Sequence, residues 1–469
     1  MTKPIPPLDL SWLLIESPAG TTHVGALLLF KKPPGRKPIV REIVESYRAC
    51  PPAPPFNYIP ELLVRGAPHF REVESWDPYY HVGHLALPAG ATYDDLLRLV
   101  AELHEPQLDR DRPMFRCWVI DGVPDGMFAI YTKTHHSIID GESGLKLIYA
   151  GLSKSDQRTV PEPAFAIGSP TPTPHPPTRL AARIVDSIRA AITQVEALNQ
   201  VSFGALRKVF AGLAGAHLEG SLPFVAQHAP TNEPLTIGRR FATLTLPLEE
   251  MHHIGRHFGA TLNDVAATII DGGLHAYLRE TGRPFAHPFI AMCPVSLRDD
   301  DDATIGTRVS AIFVRLGEPG ARMPERIRQV ADSVAAAKKE LAAMSTDAAL
   351  TYAAGLVALA GLAASTHLDR VGHPACNLVI SNVPGVKEPR YLNGARLLGI
   401  YPVSALAASI GLNATLTSYN DSMDFGFVAN AAAIDDPTQL AQHTLRAYQE
   451  LKEAAETLPP HRSTPAAVG

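Results

Sequence analysis

Two adjacent histidines, His135 and His136, are the residues of this sequence best suited to proton transfer near neutral pH. An imidazole with an ordinary pKa near 6.5 can accept a proton and return it within one catalytic cycle. Both histidines belong to the segment HHSIIDG, which ends at Asp140 and Gly141. The segment therefore indicates general acid and base catalysis, in which one ring serves the substrate and the other holds the loop.

The same side chains allow a second interpretation, a metal site. Two histidines and one aspartate are ligand types that occur together on zinc or on non-haem iron. Asp140 also has two possible roles, because it precedes a glycine at a helix start. It either caps the helix or pairs with an arginine to fix the loop, and the two roles are compatible.

The neighbouring sequence predicts that the histidines lie where a strand hands over to a helix. The segment from Met127 to Thr134 is rich in aromatic and β-branched residues and has the length of a strand. Apolar residues recur at helical spacing after Gly141. Because adjacent side chains on a strand point to opposite faces, His135 and His136 are expected to have unequal roles.

Strand-like and helix-like segments alternate in both halves of the 469-residue chain, which predicts an α/β fold with two domains. A proline-rich stretch, PEPAFAIGSPTPTPHPP, separates the halves and favours an extended connector. The predicted divisions are a first domain over 1–160, a linker and crossover helix over 161–235, a second domain over 236–460 and a flexible tail over 461–469.

Two further segments bear on membranes. An apolar stripe flanked by arginines runs from Leu180 to Val195 and fits either a packed crossover helix or a helix resting on a membrane surface. The uncharged run from Ala348 to Thr366 is close to bilayer length, but its alanines and glycines favour a buried helix. The start of the chain has prolines and Asp9 where a secretory signal would have basic and then apolar residues.

Composition and missing motifs exclude several classes of protein. A net charge of -5 provides no broad basic surface, so nucleic acid is not an expected partner. The four cysteines lie far apart and predict reduced thiols. The sequence lacks G-x-G-x-x-G, G-x-x-x-x-G-K-[ST] and G-x-S-x-G, which are typical of dehydrogenases, NTPases and serine hydrolases.

The spacing H-H-x-x-x-D-G at a strand-to-helix junction resembles the signature of acyltransferases and condensation domains with the chloramphenicol acetyltransferase-like fold. More blocks are similar, in order, to the bacterial wax ester synthase/diacylglycerol acyltransferase family. They extend the resemblance from about Leu8 to about Leu451, and they are LDLSWLLIESPAGTTHVGALLLF, TLNDV, PVSLR, SNVPG, YPVS and GLNATLTSYNDSMDFGFV.

The resemblance implies two chloramphenicol acetyltransferase-like subdomains with an active-site tunnel between them. It implies an acyl-CoA-dependent O-acyltransferase that makes triacylglycerol from diacylglycerol, or wax esters from long-chain alcohols, with no cofactor. In similar enzymes the second histidine is the base, here His136. Asn263 and Asp264 are expected near the reaction centre, where Asn263 donates to the oxyanion, and Arg298 is a candidate partner of Asp140.

The same resemblance predicts a cytoplasmic protein peripherally bound to the inner face of the plasma membrane or to lipid inclusions. A metal-dependent hydrolase and a non-catalytic lipid-binding protein of the same fold are the alternative functions. One departure concerns the acceptor: the family often shows P-L-W-E where this chain has Pro113, Met114, Phe115 and Arg116. The reversed charge at Arg116 makes acceptor preference an open point.

Overall fold

The structure is a computed structural model, and it describes residues 2–35, 38–62, 67–168, 223, 225–296, 309–344, 373–406 and 409–459. Two six-stranded sheets form the framework. The strands are β1 (Thr2–Pro4), β2 (His23–Lys31), β3 (Tyr58–Glu61), β4 (His69–Glu72), β5 (Val82–Ala86), β6 (Phe115–Val123), β7 (Met127–His135), β8 (Arg239–Pro247), β9 (Ile290–Ser296), β10 (Val309–Arg315), β11 (Leu378–Val383), β12 (Tyr391–Leu392), β13 (Ala395–Val403), β14 (Leu412–Tyr419) and β15 (Ser422–Asn430).

Helices lie against these sheets, as the mixed periodicity predicts. They are α1 (Pro7–Ile15), α2 (Ile39–Ala49), α3 (Pro78–His81), α4 (Tyr93–His104), α5 (Gly141–Ala150), α6 (Leu248–Phe258), α7 (Leu262–Glu280), α8 (Met323–Ala342) and α9 (Pro437–Thr457). The α/β class is confirmed, and the two-sheet architecture matches the fold implied by the resemblance.

The first sheet has the strand order β12-β13-β2-β7-β6-β5. Its central strands β2 and β7 pair antiparallel from His23 opposite His135 to Lys31 opposite Met127. Both faces of this sheet are covered, because α2 packs on one side and α4 on the other. Burial on both faces explains why these strands read as nearly continuous apolar runs in the sequence.

Strand β13 crosses from the second half of the chain into the first sheet. It follows β11 in sequence, yet it pairs antiparallel with β2, from Arg396 opposite Lys31 to Val403 opposite Gly25. The chain then returns to the second sheet at β14. The first sheet is therefore built from both halves, whereas the sequence division assigns residues 236–460 to the second domain alone.

The second sheet has the order β10-β9-β11-β14-β15-β8, and the largest apolar core among the described residues lies against it. Helix α7 lies at the centre of this core, and it packs so tightly on α9 that a Cβ added at Gly273 would lie 2.7 Å from the Cα of Thr444. Strands β14 and β15 pair antiparallel and form a hairpin at Asn420 and Asp421, two residue types that favour tight turns.

The two sheets touch where β13 passes β15. A Cβ added at Gly426 would lie 1.8 Å from the carbonyl oxygen of Pro402, so only glycine fits there. The buried carboxylate of Asp424 accepts hydrogen bonds from the Ile400 amide at 3.0 Å and from the Thr245 hydroxyl at 2.8 Å. Burial raises the pKa of Asp424 to about 6. The contact joins the sheets through backbone and buried polar groups.

Five features predicted from the sequence lie outside the described residues: the stripe from Leu180 to Val195, the run from Ala348 to Thr366, Arg298, the later part of the proline-rich stretch, and the tail over 461–469. Within the described ranges, no helix combines the length and the apolar character needed to cross a bilayer. The four cysteines Cys50, Cys117, Cys293 and Cys376 are unpaired thiols.

Candidate active site

The histidine pair lies at the end of β7, where the chain leaves the first sheet and turns into α5. His135 is the last residue of the strand, and its amide donates to the Met114 carbonyl at 3.0 Å. The amide of His136 donates to the carbonyl of Thr22, at the start of β2, at 2.9 Å. Main-chain bonds to both neighbouring strands therefore fix the loop at its first two residues.

The ring of His135 is fully buried and engaged at both nitrogens. Nδ1 lies 2.7 Å from the Ser137 hydroxyl and accepts a hydrogen bond from the Ser137 amide at 3.1 Å. Nε2 lies 3.1 Å from the hydroxyl of Thr22 and 3.6 Å from a carboxylate oxygen of Glu16. A ring held on both sides in this way is suited to fix the loop, and it has no free nitrogen for a substrate.

His136 is placed differently. Its imidazole stacks on the indole of Trp12 with ring centroids 4.4 Å apart and an angle of 21° between the planes. Within the described part of the chain, no other residue provides a hydrogen-bond partner for the buried Nδ1, which lies next to the main-chain carbonyl of His136 itself. In the tautomer with hydrogen on Nδ1, Nε2 carries the lone pair that can accept a proton from a ligand.

Burial is the main cause that lowers the pKa of His136 below its ordinary value of 6.5. The carbonyl of His136 itself and the charge of Asp140 act in the opposite direction, and His135 lowers the pKa further. A lowered pKa keeps the imidazole neutral at neutral pH. The ring is then in the state that a general base requires.

Asp140 is the N-cap of α5 and is buried. One carboxylate oxygen accepts from the Ser143 amide at 2.8 Å, and the other accepts from the Ser143 hydroxyl at 3.0 Å. Gly141 follows as the first helical residue, and a Cβ added there would lie 3.8 Å from Cγ2 of Val383 in β11. The capping role is thus visible, and the start of α5 faces the second sheet.

Glu16 and Arg110 form an ion pair, the ionic anchor, that holds the loop through His135. Neither residue was predicted from the sequence as part of the site. The Glu16 carboxylate is buried, accepts from Arg110 Nη2 at 2.8 Å and lies beside His135. Burial alone would raise the pKa of Glu16, but the hydrogen bonds and charges of His135 and Arg110 outweigh it and hold the pKa below its ordinary value. The signal available in the sequence was an acidic residue directly after the apolar run WLLI in the block LDLSWLLIESP.

The second half contributes the start of α7. Thr261 caps this helix, and its amide and hydroxyl donate to one oxygen of Asp264 at 2.7 Å and 2.8 Å. The other oxygen of Asp264 is buried, and no described residue hydrogen-bonds to it. Asn263 is exposed in the same turn, and its side-chain oxygen accepts from the Asn382 amide group at 2.7 Å.

That bond connects two sequence blocks that lie far apart in the chain, TLNDV and SNVPG. Asn382 precedes Val383, the residue that faces Gly141. The start of α5 and the start of α7 are therefore both next to the carboxyl end of β11. Because the side-chain oxygen of Asn263 is used by Asn382, its amide hydrogens remain as donors.

The three side chains of the metal interpretation have other tasks. His135 uses both ring nitrogens within the protein, His136 stacks on Trp12, and Asp140 caps α5. Among the residues that the structure describes, no three histidine, cysteine, aspartate or glutamate side chains are grouped as metal ligands. The arrangement is suited to taking a proton from a hydroxyl group beside amide donors that can hold a developing negative charge.

Comparison with known proteins gives consistent matches along the chain. The family model described as wax ester synthase/diacylglycerol acyltransferase catalytic domain matches residues 5–266, and the WS/DGAT C-terminal domain matches residues 305–452. The relative named probable diacylglycerol O-acyltransferase Tgs4, from Mycobacterium tuberculosis, is 33% identical over 99% of both chains. O-acyltransferase WSD from Acinetobacter baylyi is 30% identical over 94% of this chain and 95% of its own.

Solved structures agree with the sequence matches. The wax ester synthase/diacylglycerol acyltransferase from Marinobacter aquaeolei VT8 superposes with a TM-score of 0.77 at 27% identity, covering 97% of this chain and 100% of that one. The first condensation domain of the calcium-dependent antibiotic synthetase reaches a TM-score of 0.56 at 18% identity over 98% and 97% of the two chains, which shows a shared fold.

Proposed function

Because the chain belongs to the wax ester synthase/diacylglycerol acyltransferase family, we propose that it makes neutral lipids by direct, histidine-catalysed O-acyl transfer. The acyl donor is a fatty acyl-CoA, and the acceptor is the hydroxyl of a diacylglycerol or of a long-chain alcohol. The single observation that best supports this proposal is the difference between the two histidines: both ring nitrogens of His135 are engaged within the protein, whereas among the described residues no hydrogen bond from another residue holds Nδ1 of His136.

In the proposed step, Nε2 of His136 takes the proton of the acceptor hydroxyl as its oxygen attacks the thioester carbonyl. The C–O bond forms, and the tetrahedral intermediate collapses with loss of the C–S bond. The imidazolium then gives its proton to the departing CoA thiolate. The histidine ends in its starting state, no acyl-enzyme forms, and no cofactor other than the acyl-CoA co-substrate takes part.

Asn263 is proposed to donate an amide hydrogen to the oxyanion of that intermediate. Its side chain is fixed from the oxygen side by Asn382, which supports this role by orienting the amide. Asp264 acts behind it by closing the first turn of α7 through Thr261. His135, Asp140 and Gly141 set the position of the loop that contains the base, and Arg298 is kept as the proposed partner of Asp140.

The experiment that tests this function measures free CoA and ester product together. With one acyl-CoA and either diacylglycerol or a long-chain alcohol, the protein should release CoA only when acceptor is present and in equal amounts with ester. CoA release at the same rate without acceptor would show a thioesterase. A parallel sample treated exhaustively with a chelator should retain its rate, and loss of activity there would favour the metal-dependent hydrolase.

Water-insoluble acceptors also support a peripheral location, at the inner face of the plasma membrane or on lipid inclusions of the cytoplasm. The supporting pattern is the arginine-flanked stripe from Leu180 to Val195 in the sequence. The double substitution Ile184→Asp and Ile188→Asp should reduce co-sedimentation with liposomes without changing the thermal unfolding midpoint. Unchanged co-sedimentation would assign the stripe to packing within the protein.

A further inference from the structure

Trp12 contacts His136 but has no role in the reaction step proposed above. The two rings are nearly parallel, with centroids 4.4 Å apart, so the π face of the indole covers one face of the imidazole. Trp12 lies on α1, more than 120 residues earlier in the chain than His136. Because the two segments are far apart in the chain, tertiary contacts must bring the two rings together.

Thr22 connects the two segments through hydrogen bonds. Its hydroxyl donates to the carbonyl of Trp12 at 3.1 Å and lies 3.1 Å from Nε2 of His135. Its carbonyl accepts from the amide of His136 at 2.9 Å. Thr22 therefore hydrogen-bonds to the backbone of both Trp12 and His136, which keeps their rings opposite each other.

The charges that act on His136 come from the elements packed around it. Asp140, at the start of α5, favours the protonated ring, and His135 on the adjoining strand end opposes it. Glu16, on the α1 side, is paired with Arg110 and lies beside His135. The group in direct face contact with the imidazole is the indole, and an aromatic face attracts a cation that is shielded from water.

We propose that Trp12 is a positioning residue for acyl transfer, which fixes the plane of the His136 ring and stabilises the imidazolium formed once the hydroxyl proton has been taken. This inference rests on the proposed function, since it gives Trp12 a part in the same step. The proton balance is unchanged: the proton moves from the acceptor hydroxyl to Nε2 and then to the CoA thiolate.

A second observation makes the proposal testable by a small change. The indole Nε1 is buried and has no hydrogen-bond partner among the residues that the structure describes. A buried donor without a partner is unfavourable, so Trp12→Phe removes a cost to folding while it keeps an aromatic face. Trp12→Leu removes the aromatic face and keeps an apolar side chain. The pair of variants therefore separates stacking from simple filling of space.

The first measurement is an NMR titration of the His136 ring in the protein without substrate. A cation–π contact of ordinary strength corresponds to about half a pKa unit, so the pKa of His136 in Trp12→Leu should lie about half a unit below that in Trp12→Phe. The second measurement is kcat against pH: Trp12→Leu should lose roughly tenfold in kcat with little change in KM for acyl-CoA, whereas Trp12→Phe should retain most of the rate.

Trp76→Leu is a matched control, because Trp76 contacts another buried histidine, His81, with centroids 5.8 Å apart. It should reduce stability without moving the titration of His136. If Trp12→Leu does not fold, Trp12→Met replaces it as the variant without a ring. Equal titrations and equal kcat for the Phe and Leu variants would overturn the proposal. Because the titration needs no turnover, it stays informative even if the acyl transfer mechanism fails.

Discussion

The starts of α5 and α7 are built alike and present different chemistry. In each, a buried carboxylate closes the first turn: Asp140 caps α5 directly, and Asp264 closes α7 together with Thr261. The loop before α5 follows the central strand β7 and contains the imidazole of His136. The first turn of α7 presents the amide of Asn263. The same kind of capped helix start thus positions a proton acceptor in the first half of the chain and hydrogen-bond donors in the second half.

The largest expected difference between these regions is in the rate of the chemical step. His136→Gln keeps a polar side chain but cannot cycle a proton, so kcat should fall by about 10²- to 10⁴-fold. His135→Ala should leave more residual turnover and should mainly reduce stability. The measurement is ester formation at saturating acyl-CoA, with circular dichroism as a check on folding. Parental kcat in a folded His136→Gln protein would refute the proposed base.

The acid side of the pH profile gives the same test without a substitution. Burial lowers the pKa of His136, so the neutral base should persist below pH 6.5. We expect kcat to stay constant as the pH falls to 6.5 and to decline only below that value. A decline centred above pH 6.5 would contradict a lowered pKa for the catalytic group.

For the start of α7, Asn263→Ala should lower kcat by about 10²-fold, the loss typical of one oxyanion donor. Asn382→Ala is the matched control, because it removes the group that orients Asn263 and leaves the donor in place. Its kcat should lie between those of the parent and Asn263→Ala. If Asn382→Ala is the more damaging of the two, the donor assignment belongs to Asn382 instead.

A further test addresses the ionic anchor beside the first loop. Glu16→Gln keeps the shape but leaves Arg110 unpaired, and the free energy of unfolding at pH 7 should fall by about 2 kcal/mol, allowing for the partial exposure of Arg110. A carboxyl with a depressed pKa stabilises the fold above its ordinary value of 4.5 and loses that contribution as the pH falls. Urea unfolding should therefore show a difference at pH 7 that shrinks below about pH 4.5.

The smallest effect concerns the two caps. Thr261→Ala and Asp140→Ala should each cost about 1 kcal/mol of stability, the usual value for a lost N-cap. Asp140→Asn should retain most of the capping. Thermal unfolding measures the cost, and ester formation shows whether it reaches the active site. A rate lost in Asp140→Asn at unchanged stability would indicate a chemical role for the carboxylate beyond capping.

Local features were predictable from the sequence because short-range rules govern them. The strand before His135, the helix after Gly141, the Thr261 cap and the hairpin at Asn420 each depend on residues within about ten positions. The position of His136 beside a helix start followed from the same rules. Its ordinary chemistry could then be inferred from residue type.

Long-range partners were not predictable in the same way. Glu16 meets Arg110 and His135 only because α1 folds back on the end of β7, and no local pattern records that approach. The same holds for the stack of Trp12 on His136, and for β13, whose alternation fits either sheet. In these cases the pairing is decided by packing across the whole fold, since each segment alone is compatible with several neighbours.

The position of β13 has a consequence for dissecting this enzyme. If the chain were cut at the linker and the first half expressed alone, β2 would keep β7 but lose β13 on its other side, and it would expose the edge of HVGALLLFK. A long apolar edge of this kind recruits other strands, so the isolated half would aggregate. The second half would in turn hold β13 without a sheet to join. The starts of α5 and α7 therefore belong to one cooperative unit, and we expect neither half to fold as an independent module.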